Sequence, residues 1–261
     1  MPNRAQVDSI RPHYPVWIRS GRVRALWAAA VVALAATAIT TYFWTPGVLL
    51  VLVSLPLVYT ALVLTLAARQ LSEQGGGVQA RIHGLLVDAI GAEGRLLDIG
   101  CGSGELLVRL ARSGSGELVG LDHWGDDWEY SRDQAVANAA AEGVAGLHLV
   151  AGTASNLPFG DGEFARVVSC LTFHDVRDVA DRTTCVAEAL RVLAAGGRFA
   201  FFDLFDDPRA FGGRANVVAA IDAAGGEVEI ATPVTELIEL AFPLNQAQSL
   251  KHAVLIVGTR R

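Results

Sequence analysis

Charged side chains are missing from one long stretch near the start of the chain. From Ala25 to Ala68 the sequence runs through 44 residues without Asp, Glu, Lys, Arg or His. A membrane-spanning helix needs about 20 apolar residues, so this stretch is long enough for two. The tripeptide Thr45-Pro46-Gly47 lies near its midpoint and is a strong turn signal. The pattern predicts a transmembrane helical hairpin over 23–68, with spans 23–44 and 47–68. A hairpin buried in a protein core is the alternative, whereas a cleaved signal peptide would be shorter.

Positive charge is concentrated on one side of this hairpin. The first 24 residues hold five arginines and one aspartate, and the turn between the spans holds no charged residue. Loops rich in Arg and Lys stay in the cytoplasm, so both termini are expected there, with the protein in the cell membrane as a two-span chain. Residues 1–22 then form a basic cytoplasmic arm, residues 69–77 a linker and residues 78–261 a separate domain. Alanine-rich faces on the spans also allow a homo-oligomer through the membrane helices.

Cysteine is scarce, and basic runs are absent after the hairpin. The three cysteines, Cys101, Cys170 and Cys185, form no Cys-x-x-Cys pair, which argues against a zinc site. The acidic residues within 126–129 have no histidine cluster beside them, so no metal is predicted. Subtracting the net charge of +4 in the first 24 residues from the formal net charge of −6 leaves −10 for the rest of the chain. An acidic domain without a basic run disfavours nucleic acid as a partner.

Beyond residue 78, short apolar runs alternate with segments of helical spacing. Strands are predicted over 94–99, 117–122, 147–151, 165–172, 197–203 and 252–258. Helices are predicted near 78–90, 105–113, 130–142, 177–193 and 214–224. This alternation is typical of an α/β fold with a doubly wound, mostly parallel sheet. The segment 227–248 has no readable pattern.

The stretch LLDIGCGSG (96–104) joins the first strand of this domain to a helix through a glycine-rich turn. Glycines let the backbone turn sharply and approach a ligand at the helix amino end. Glu105 occupies the position where a dinucleotide fingerprint needs glycine, and Gly-Lys-Ser/Thr is missing. NAD(P) and a Walker-type phosphate loop are therefore both disfavoured. Asp98, directly before the turn, suits a ligand with an ammonium group, and Asp122, at the end of the next strand, is suited to bind both hydroxyls of a ribose.

In these motifs the sequence resembles the class I S-adenosylmethionine-dependent methyltransferases (methyltransferase type 11), especially the quinone-biosynthesis C-methyltransferases. The resemblance rests on LLDIGCGSG (96–104), VGLDHW (119–124), GTASNLPFGDGEFARVVSCLTFHDV (152–176) and EALRVLAAGGRFAFFDLF (188–205), in that order. It implies a Rossmann-like fold with a mostly parallel seven-stranded sheet. It also implies methyltransferase activity with S-adenosyl-L-methionine as the cofactor.

The resemblance further implies a set of cofactor-binding residues. The methionine part would lie against Asp98 and the glycine turn, the ribose on Asp122, and the adenine against His123 and Ala154. Similar proteins usually carry an acid just before that alanine, and this chain has Thr153 there instead. The full set of cofactor-binding candidates is Asp98, Gly100, Cys101, Gly102, Gly104, Asp122, His123, Thr153, Ala154 and Cys170.

Two strand ends carry candidates for the chemistry, because ligands of open parallel sheets lie beyond the carboxyl ends of the strands. His174 follows the fourth strand and is expected to act as a general base or to orient the acceptor. Asp203 ends the fifth strand and is expected to bind the acceptor or the base. For both residues a purely structural, capping role is the alternative. Trp124, Trp128 and Asp175 are the substrate candidates, and the tryptophans are equally able to pack the following helix.

The hairpin and the resemblance together predict a transferase that works at the membrane surface. Its expected reaction is methyl transfer to a lipid-like or membrane-partitioning acceptor at the cytoplasmic face, with the lipid bilayer and an apolar or small-molecule acceptor as partners. Among enzymes, the alternative is a small soluble acceptor such as a thiol or an amine, with the hairpin only as an anchor. Outside enzymes, the alternative is a cofactor-binding membrane module without turnover.

Overall fold

The computed structural model describes residues 11–91, 93–114, 116–125, 128–246 and 249–261. Residues 1–10 of the predicted basic arm, and Asp126 and Asp127 of the acidic run, lie outside this described part. The chain divides into two compact units. The first comprises residues 15–80 and 241–244, and the second comprises residues 81–240 and 245–261 together with the segment that ends at Tyr14.

The first unit is built around a helical hairpin. Helix α1 (Ser20–Phe43) is followed by a 3-10 turn (Thr45–Leu50) and helix α2 (Val51–Leu71). α1 begins three residues before its predicted span and α2 ends three residues after, so the first residues of the predicted linker are helical. Gly47 permits the tight turn, because a Cβ atom there would lie 2.6 Å from the backbone of Thr40.

Small side chains lie between the two helices of the hairpin. Ala30, Ser54 and Ala61 are fully buried, and the indole of Trp27 donates a hydrogen bond across the hairpin to the hydroxyl of Thr65 at 3.0 Å. Small residues let helix backbones approach closely in an apolar medium. Large apolar side chains are exposed instead, among them Val31, Val32, Leu34, Ile39, Leu52, Val53 and Leu55. The helical stretches of 24 and 27 residues are long and apolar enough to cross a membrane.

Helix α3 (Val78–Ile90) leads into the second unit, in which strands and helices alternate. The elements that follow are β1 (Leu96–Ile99), α4 (Glu105–Ser113), β2 (Leu118–Asp122), α5 (Arg132–Ala141), β3 (His148–Ala151), β4 (Phe164–Cys170), a 3-10 turn (Phe173–Asp175), α6 (Thr183–Val192), β5 (Leu193–Asp203), α7 (Pro208–Phe211), α8 (Arg214–Ala223), β6 (Gly226–Pro233), α9 (Val234–Leu237) and β7 (Val254–Arg260).

Within the described residues these strands form one seven-stranded sheet in the order β3-β2-β1-β4-β5-β7-β6. The pairs from β3 through β5 are parallel, and β7 runs antiparallel to both of its neighbours. α4 packs against α5, and α6 packs against α8. The predictions of a Rossmann-like, doubly wound α/β fold and of a mostly parallel seven-stranded sheet are therefore confirmed.

Two strands differ from the sequence-based expectation. β6 falls in the segment that had no readable pattern, because the alternation of Glu227 and Glu229 with apolar residues is short and a bulge between Val228 and Ile230 breaks its register. β5 begins at Leu193 rather than at residue 197, since Leu193 already pairs with Phe164 before a bulge in the β4–β5 ladder. An edge strand and a bulge both weaken the hydrophobic pattern that marks a strand.

Phenylalanine rings fill the core beside β5. Phe201 is fully buried, stacks on Phe199 at a centroid distance of 4.9 Å and meets Phe173 edge-on at 5.3 Å. Phe173 begins the 3-10 turn that follows β4. The packing of β5 therefore fixes the backbone that carries His174.

Replacing Phe201 with alanine is expected to lower the free energy of unfolding by about 3–5 kcal/mol, because the change leaves a cavity among buried rings. Urea denaturation of the full chain in detergent, followed by circular dichroism, measures the change. Val136→Ala is the matched control, since Val136 is 54% exposed on α5, and its truncation should change the value by less than about 0.5 kcal/mol. A loss similar to that of the control would contradict a tightly packed ring cluster.

Candidate active site

The carboxyl ends of parallel strands meet at one edge of the sheet. β1 lies between β2 and β4, and Asp98 on β1 is level with Gly120 and Val168 on these neighbours. Asp122 ends β2 and Asp203 ends β5. Ligands of open α/β sheets bind at this edge. The three predicted acids therefore face the region where a ligand is expected.

The turn after β1 has a backbone that favours glycine. Gly100, Gly102 and Gly104 have φ angles of +81°, +51° and +83°, which residues with side chains rarely adopt. A Cβ atom on Gly100 would also lie 1.9 Å from the hydroxyl of Thr172. Gly104 is the N-cap of α4, so the free N–H groups of that helix begin at the turn. This geometry fits the predicted place of the methionine part.

Asp122 holds this turn from the neighbouring strand. One carboxylate oxygen accepts a hydrogen bond from the N–H of Gly102 at 2.9 Å, and the other accepts one from the N–H of Trp124 at 2.8 Å. The Trp124 indole donates in turn to the carbonyl of Gly102 at 3.0 Å. Trp124, predicted as a substrate candidate, is thus hydrogen-bonded to the glycine turn. An ionised carboxylate has about four lone-pair sites, so Asp122 keeps acceptor capacity for ribose hydroxyls.

Two further aromatic rings lie beside the turn. Trp128 stacks on Tyr130 at a centroid distance of 5.7 Å, and the Tyr130 ring lies 3.1 Å from the place that a Cβ atom on Gly102 would take. Burial, followed by the carboxylates of Asp122 and Asp175, raises the pKa of the Tyr130 phenol. Tyr130 therefore contacts the turn directly, although the candidate set named Trp128 and omitted this tyrosine.

Asp98 is buried at this edge, and one oxygen of its side chain has no hydrogen-bond partner in the described part of the chain. The residue is 1% exposed, and among the described residues its Oδ2 has no hydrogen-bond partner. Burial, and after it the charge of Asp122, raises the pKa of Asp98 to about 8. A buried carboxylate oxygen without a partner favours a cationic ligand, because an ammonium group supplies both charge and hydrogen bonds. The residues present therefore fit the amino-acid end of S-adenosylmethionine.

The two predicted cysteines at the site are buried thiols. Cys101 follows Gly100, and its sulfur lies 2.7 Å from the place of a Cβ atom on Gly120, so it packs against β2. Cys170 ends β4. Burial, then nearby carboxylates, raises the pKa of both thiols well above the usual value. Because the thiolate is the reactive form, neither residue is a candidate nucleophile.

His174 and Asp203, which were predicted separately, lie together as a dyad. Nδ1 of His174 lies 2.7 Å from Oδ1 of Asp203. The backbone N–H groups of Phe173 and His174 donate to Oδ2, and that of Leu204 donates to Oδ1. Burial lowers the pKa of His174, but the charge and the hydrogen bond of Asp203 outweigh it and raise the pKa to about 9. The contact fixes the ring by Nδ1, and Nε2 lies 3.7 Å from the Asp175 carboxylate.

The predicted adenine-binding residues lie at and beyond the ends of β2 and β3. The side chain of His123 is 57% exposed and accessible to a planar base, whereas Ala154 is buried in the core. The hydroxyl of Thr153 donates a hydrogen bond to Asp178 at 2.8 Å. Asp178 carried no signal in the sequence, because it lies 25 residues further along the chain and in no recognised motif.

A buried asparagine also reaches the glycine turn. Asn138 on α5 donates to the carbonyl of Ser103 at 2.9 Å and accepts from the N–H of His13 at 2.8 Å. Gln134 donates to the carbonyl of His13 at 2.8 Å. The segment before the hairpin is thereby bonded to the helix that supports the turn. Sequence analysis missed Asn138, because a single asparagine in an alanine-rich helix matches no motif.

Comparison with known proteins agrees with this geometry. Residues 97–201 match the family profile described as a methyltransferase domain. The uncharacterized methyltransferase sll0829 of Synechocystis sp. is 35% identical over 130 residues, which cover 49% of this chain and 56% of that protein. The 27-O-demethylrifamycin SV methyltransferase of Amycolatopsis mediterranei is 29% identical over 150 residues, or 58% of this chain and 52% of that protein.

The fold has solved counterparts. Geranyl diphosphate C-methyltransferase from Streptomyces coelicolor A3(2), in complex with Mg2+, geranyl diphosphate and S-adenosyl-L-homocysteine, superposes with a TM-score of 0.57 at 15% sequence identity, covering 72% of this chain and 81% of that chain. Within the second unit, residues 97–201 match a methyltransferase domain, and the predictions of a class I S-adenosylmethionine-dependent methyltransferase, of its fold and of S-adenosylmethionine as its cofactor are confirmed. The chain spans about half the length of the curated relatives that it matches. The roles of the single residues stay predictions.

Binding of S-adenosylhomocysteine is expected to release protons below about pH 8. Free Asp98 is largely protonated at pH 7, because its pKa is raised to about 8, and an ammonium group beside it favours the carboxylate. Affinity should therefore rise with pH up to about 8 and then level off. Calorimetry at pH 6.5 in two buffers of different ionisation enthalpy measures the protons released.

Asp98→Asn is expected to bind the ligand more weakly and to lose this pH dependence. Asp88→Asn, an exposed carboxylate on α3, serves as the control and should keep both affinity and proton release. Unchanged proton release in the Asp98 variant would refute the assignment.

Proposed function

We propose that this chain is a membrane-anchored S-adenosylmethionine-dependent methyltransferase that acts on a lipid-like or membrane-partitioning acceptor at the cytoplasmic face of the cell membrane. The observation that carries methyl transfer is one sheet edge that combines the glycine turn, the unpartnered carboxylate oxygen of Asp98 and the His174–Asp203 dyad. The first two suit a cofactor with an amino-acid end. The dyad suits proton transfer at the carboxyl ends of β4 and β5.

Bound S-adenosylmethionine supplies a methyl group on a sulfonium centre, which leaves alignment and proton removal to the protein. Asp98 and the glycine turn bind the amino-acid end, and Asp122 binds the ribose. Tyr130, packed over Gly102, excludes water from the turn. Holding two reactants in line makes a bimolecular step effectively unimolecular, so these contacts serve the rate as well as affinity.

His174 removes the proton of the acceptor at Nε2. Asp203 holds Nδ1–H, fixes the tautomer and stabilises the imidazolium that forms. A base whose pKa is about 9 suits an acceptor whose own proton is moderately acidic, because proton transfer is efficient when the two pKa values are close. The acceptor is therefore expected to carry an acidic O–H or C–H group, as a phenol, an enol or a quinone precursor does.

The membrane part of the proposal rests on the hairpin of the first unit. Only 6% of the most apolar stretch of the first helix and 17% of that of the second are buried. Apolar side chains exposed over such an area favour contact with lipid rather than a place in a protein core. The late segment 241–244 belongs to this unit, where Gln70 donates to the carbonyl of Phe242 at 2.6 Å. Arg19, Arg22 and Arg24 lie at the start of α1, which supports a cytoplasmic amino terminus.

A small soluble acceptor is the second candidate, with the hairpin serving only as an anchor. The relative from Amycolatopsis mediterranei is by name a methyltransferase of 27-O-demethylrifamycin SV, which favours an oxygen acceptor on a small molecule. The geranyl diphosphate C-methyltransferase, whose fold is shared, was solved with geranyl diphosphate, which favours an apolar acceptor. The apolar hairpin supports the membrane-partitioning acceptor, and a module without turnover would have no use for the dyad.

Full-length protein in lipid discs, incubated with methyl-labelled S-adenosylmethionine and an extract of its own cells, is expected to transfer label into the organic phase. Aqueous, protein and headspace fractions are counted beside it. Label confined to the aqueous phase would favour the soluble acceptor. No transfer of label to any fraction, by protein that still binds S-adenosylhomocysteine, would contradict the proposed methyltransferase activity.

Methyl transfer is expected to depend on the dyad and on pH. Since the base form of His174 grows as pH approaches its pKa of about 9, the rate should rise about tenfold per pH unit below that value. Asp203→Asn removes the charge that raises this pKa, so burial dominates and the rising limb of the pH profile moves to lower pH, with a lower plateau.

Substitutions of two histidines distinguish an effect on the rate of methyl transfer from an effect on cofactor binding. His174→Asn is expected to lose about 100-fold or more in rate with unchanged affinity for S-adenosylhomocysteine. His148→Asn is the control, because His148 is an exposed residue at the start of β3. Wild-type rates in the His174 variant would remove the dyad from the mechanism.

A further inference from the structure

The adenine side of the site lacks the acid expected in the strand-end motif. Thr153 stands at that position, just before Ala154, and its hydroxyl is one of two in the loop after β3. Ser155 supplies the other, and the two hydroxyl oxygens lie 2.9 Å apart. Two neutral hydroxyls differ from an acid, because each also carries a proton to donate.

A carboxylate from a different loop receives both of these protons. Oδ2 of Asp178 accepts hydrogen bonds from Thr153 at 2.8 Å and from Ser155 at 2.7 Å. Asp178 follows the 3-10 turn Phe173–Asp175, which comes after β4, so it reaches the β3 loop from the other side of β1 and β2 in sheet order. A carboxylate of the loop after β4 therefore lies beside the position at which this chain lacks the usual acid.

The charge state of this cluster makes it an acceptor. The hydrogen bonds from Ser155 and Thr153 lower the pKa of Asp178, and the neighbouring His123 lowers it further. Both hydroxyl protons are directed at Oδ2, so the lone pairs that remain on Asp178 can only accept. An acceptor of this kind binds an amino group and rejects a carbonyl oxygen.

The cluster lies next to the residues predicted for the ribose and the base. Asp122 is in register with Ala151 on β3, and its carbonyl accepts a hydrogen bond from the N–H of Gly152 at 3.0 Å, directly before Thr153. Asp178 is exposed, so a ligand can reach its carboxylate. A backbone hydrogen bond therefore joins the strand-end acid Asp122 to the residue directly before the cluster.

We propose that Asp178, oriented by the hydroxyls of Thr153 and Ser155, accepts a hydrogen bond from the exocyclic amino group of the adenine and so selects an adenine cofactor. The inference rests on the proposed function, since it assigns a specificity-determining residue to the same cofactor site. It replaces Thr153, which the resemblance put at the adenine edge, by a carboxylate that Thr153 holds in place.

The test compares S-adenosylhomocysteine with S-inosylhomocysteine, in which a carbonyl oxygen replaces the amino group of the base. Calorimetry on full-length protein in detergent gives both dissociation constants. Wild type is expected to bind the adenine compound at least about tenfold more tightly, because the carboxylate repels the carbonyl oxygen. Asp178→Asn is expected to bring the two constants close together, since the amide of asparagine donates as well as accepts.

Three further variants sharpen the result. Asp181→Asn removes a carboxylate of the same loop that bonds Thr183 instead and should keep the wild-type ratio. Thr153→Val with Ser155→Ala leaves the carboxylate without its orienting donors and should narrow the ratio by a smaller factor. Thr153→Asp added to Asp178→Ala places an acid at the usual position and should restore the preference for adenine.

The outcomes separate this inference from the function on which it rests. A wild-type ratio that persists in Asp178→Asn, with S-adenosylhomocysteine still bound, overturns the role of Asp178 and leaves the methyltransferase proposal intact. Failure of wild type to bind S-adenosylhomocysteine overturns both. A ratio that collapses in Asp178→Asn, persists in Asp181→Asn and returns with Thr153→Asp establishes the inference.

Discussion

The site depends on how three carboxylates are removed from water at one edge of a parallel sheet. Asp203 is stabilised by the backbone N–H groups of the following turns and by His174. Asp122 is stabilised by two N–H groups, one of them in the glycine turn. Asp98 keeps one oxygen without a partner. Leaving a buried acceptor unpaired costs about 1–3 kcal/mol. The unpaired oxygen of Asp98 therefore lowers the stability of the fold at the place where a cationic group of a ligand can bind it.

Each of these acids imposes order on a loop. Because Asp122 bonds the N–H of Gly102, the turn after β1 is held by the end of β2, and its left-handed glycines keep it open toward the ligand. Because Asp203 bonds the backbone of Phe173 and His174, the loop after β4 is held by the end of β5. Neighbouring strand ends therefore support one another in pairs. This explains why residues far apart in the sequence form a single rigid edge.

The sequence predicts features that depend on neighbouring residues, such as strand ends, but not contacts between residues that are far apart along the chain. Asp122 and Asp203 were found because each ends an apolar run, which the periodicity of a buried strand makes visible, and Asp98 was found because it lies just before the glycine turn. β6 was missed because its alternation of polar and apolar residues is short and is broken by a bulge between Val228 and Ile230. The bond between Asp178 and Thr153 joins two loops across the sheet, so no pattern along the chain could predict it. The contact between His174 and Asp203 could not be predicted from the sequence either, although both residues were candidates for the site.

The hairpin and the sheet edge differ in the chemical groups that they expose. Hydroxyls on the hairpin largely return to their own helix, as Thr37, Thr60 and Thr65 do with carbonyls one turn earlier, and this satisfies polar groups in an apolar medium. Among the described residues of the hairpin, the exposed side chains are mostly apolar, so they would offer a substrate no charge and no proton acceptor. In the proposed reaction, discrimination between acceptors would therefore depend on the groups at the strand ends. Among these, His174 combines a fixed orientation with a pKa of about 9. In the proposed reaction, the anchor would raise the local concentration of any apolar molecule, and the acidity of the proton near Nε2 would decide which of them is methylated.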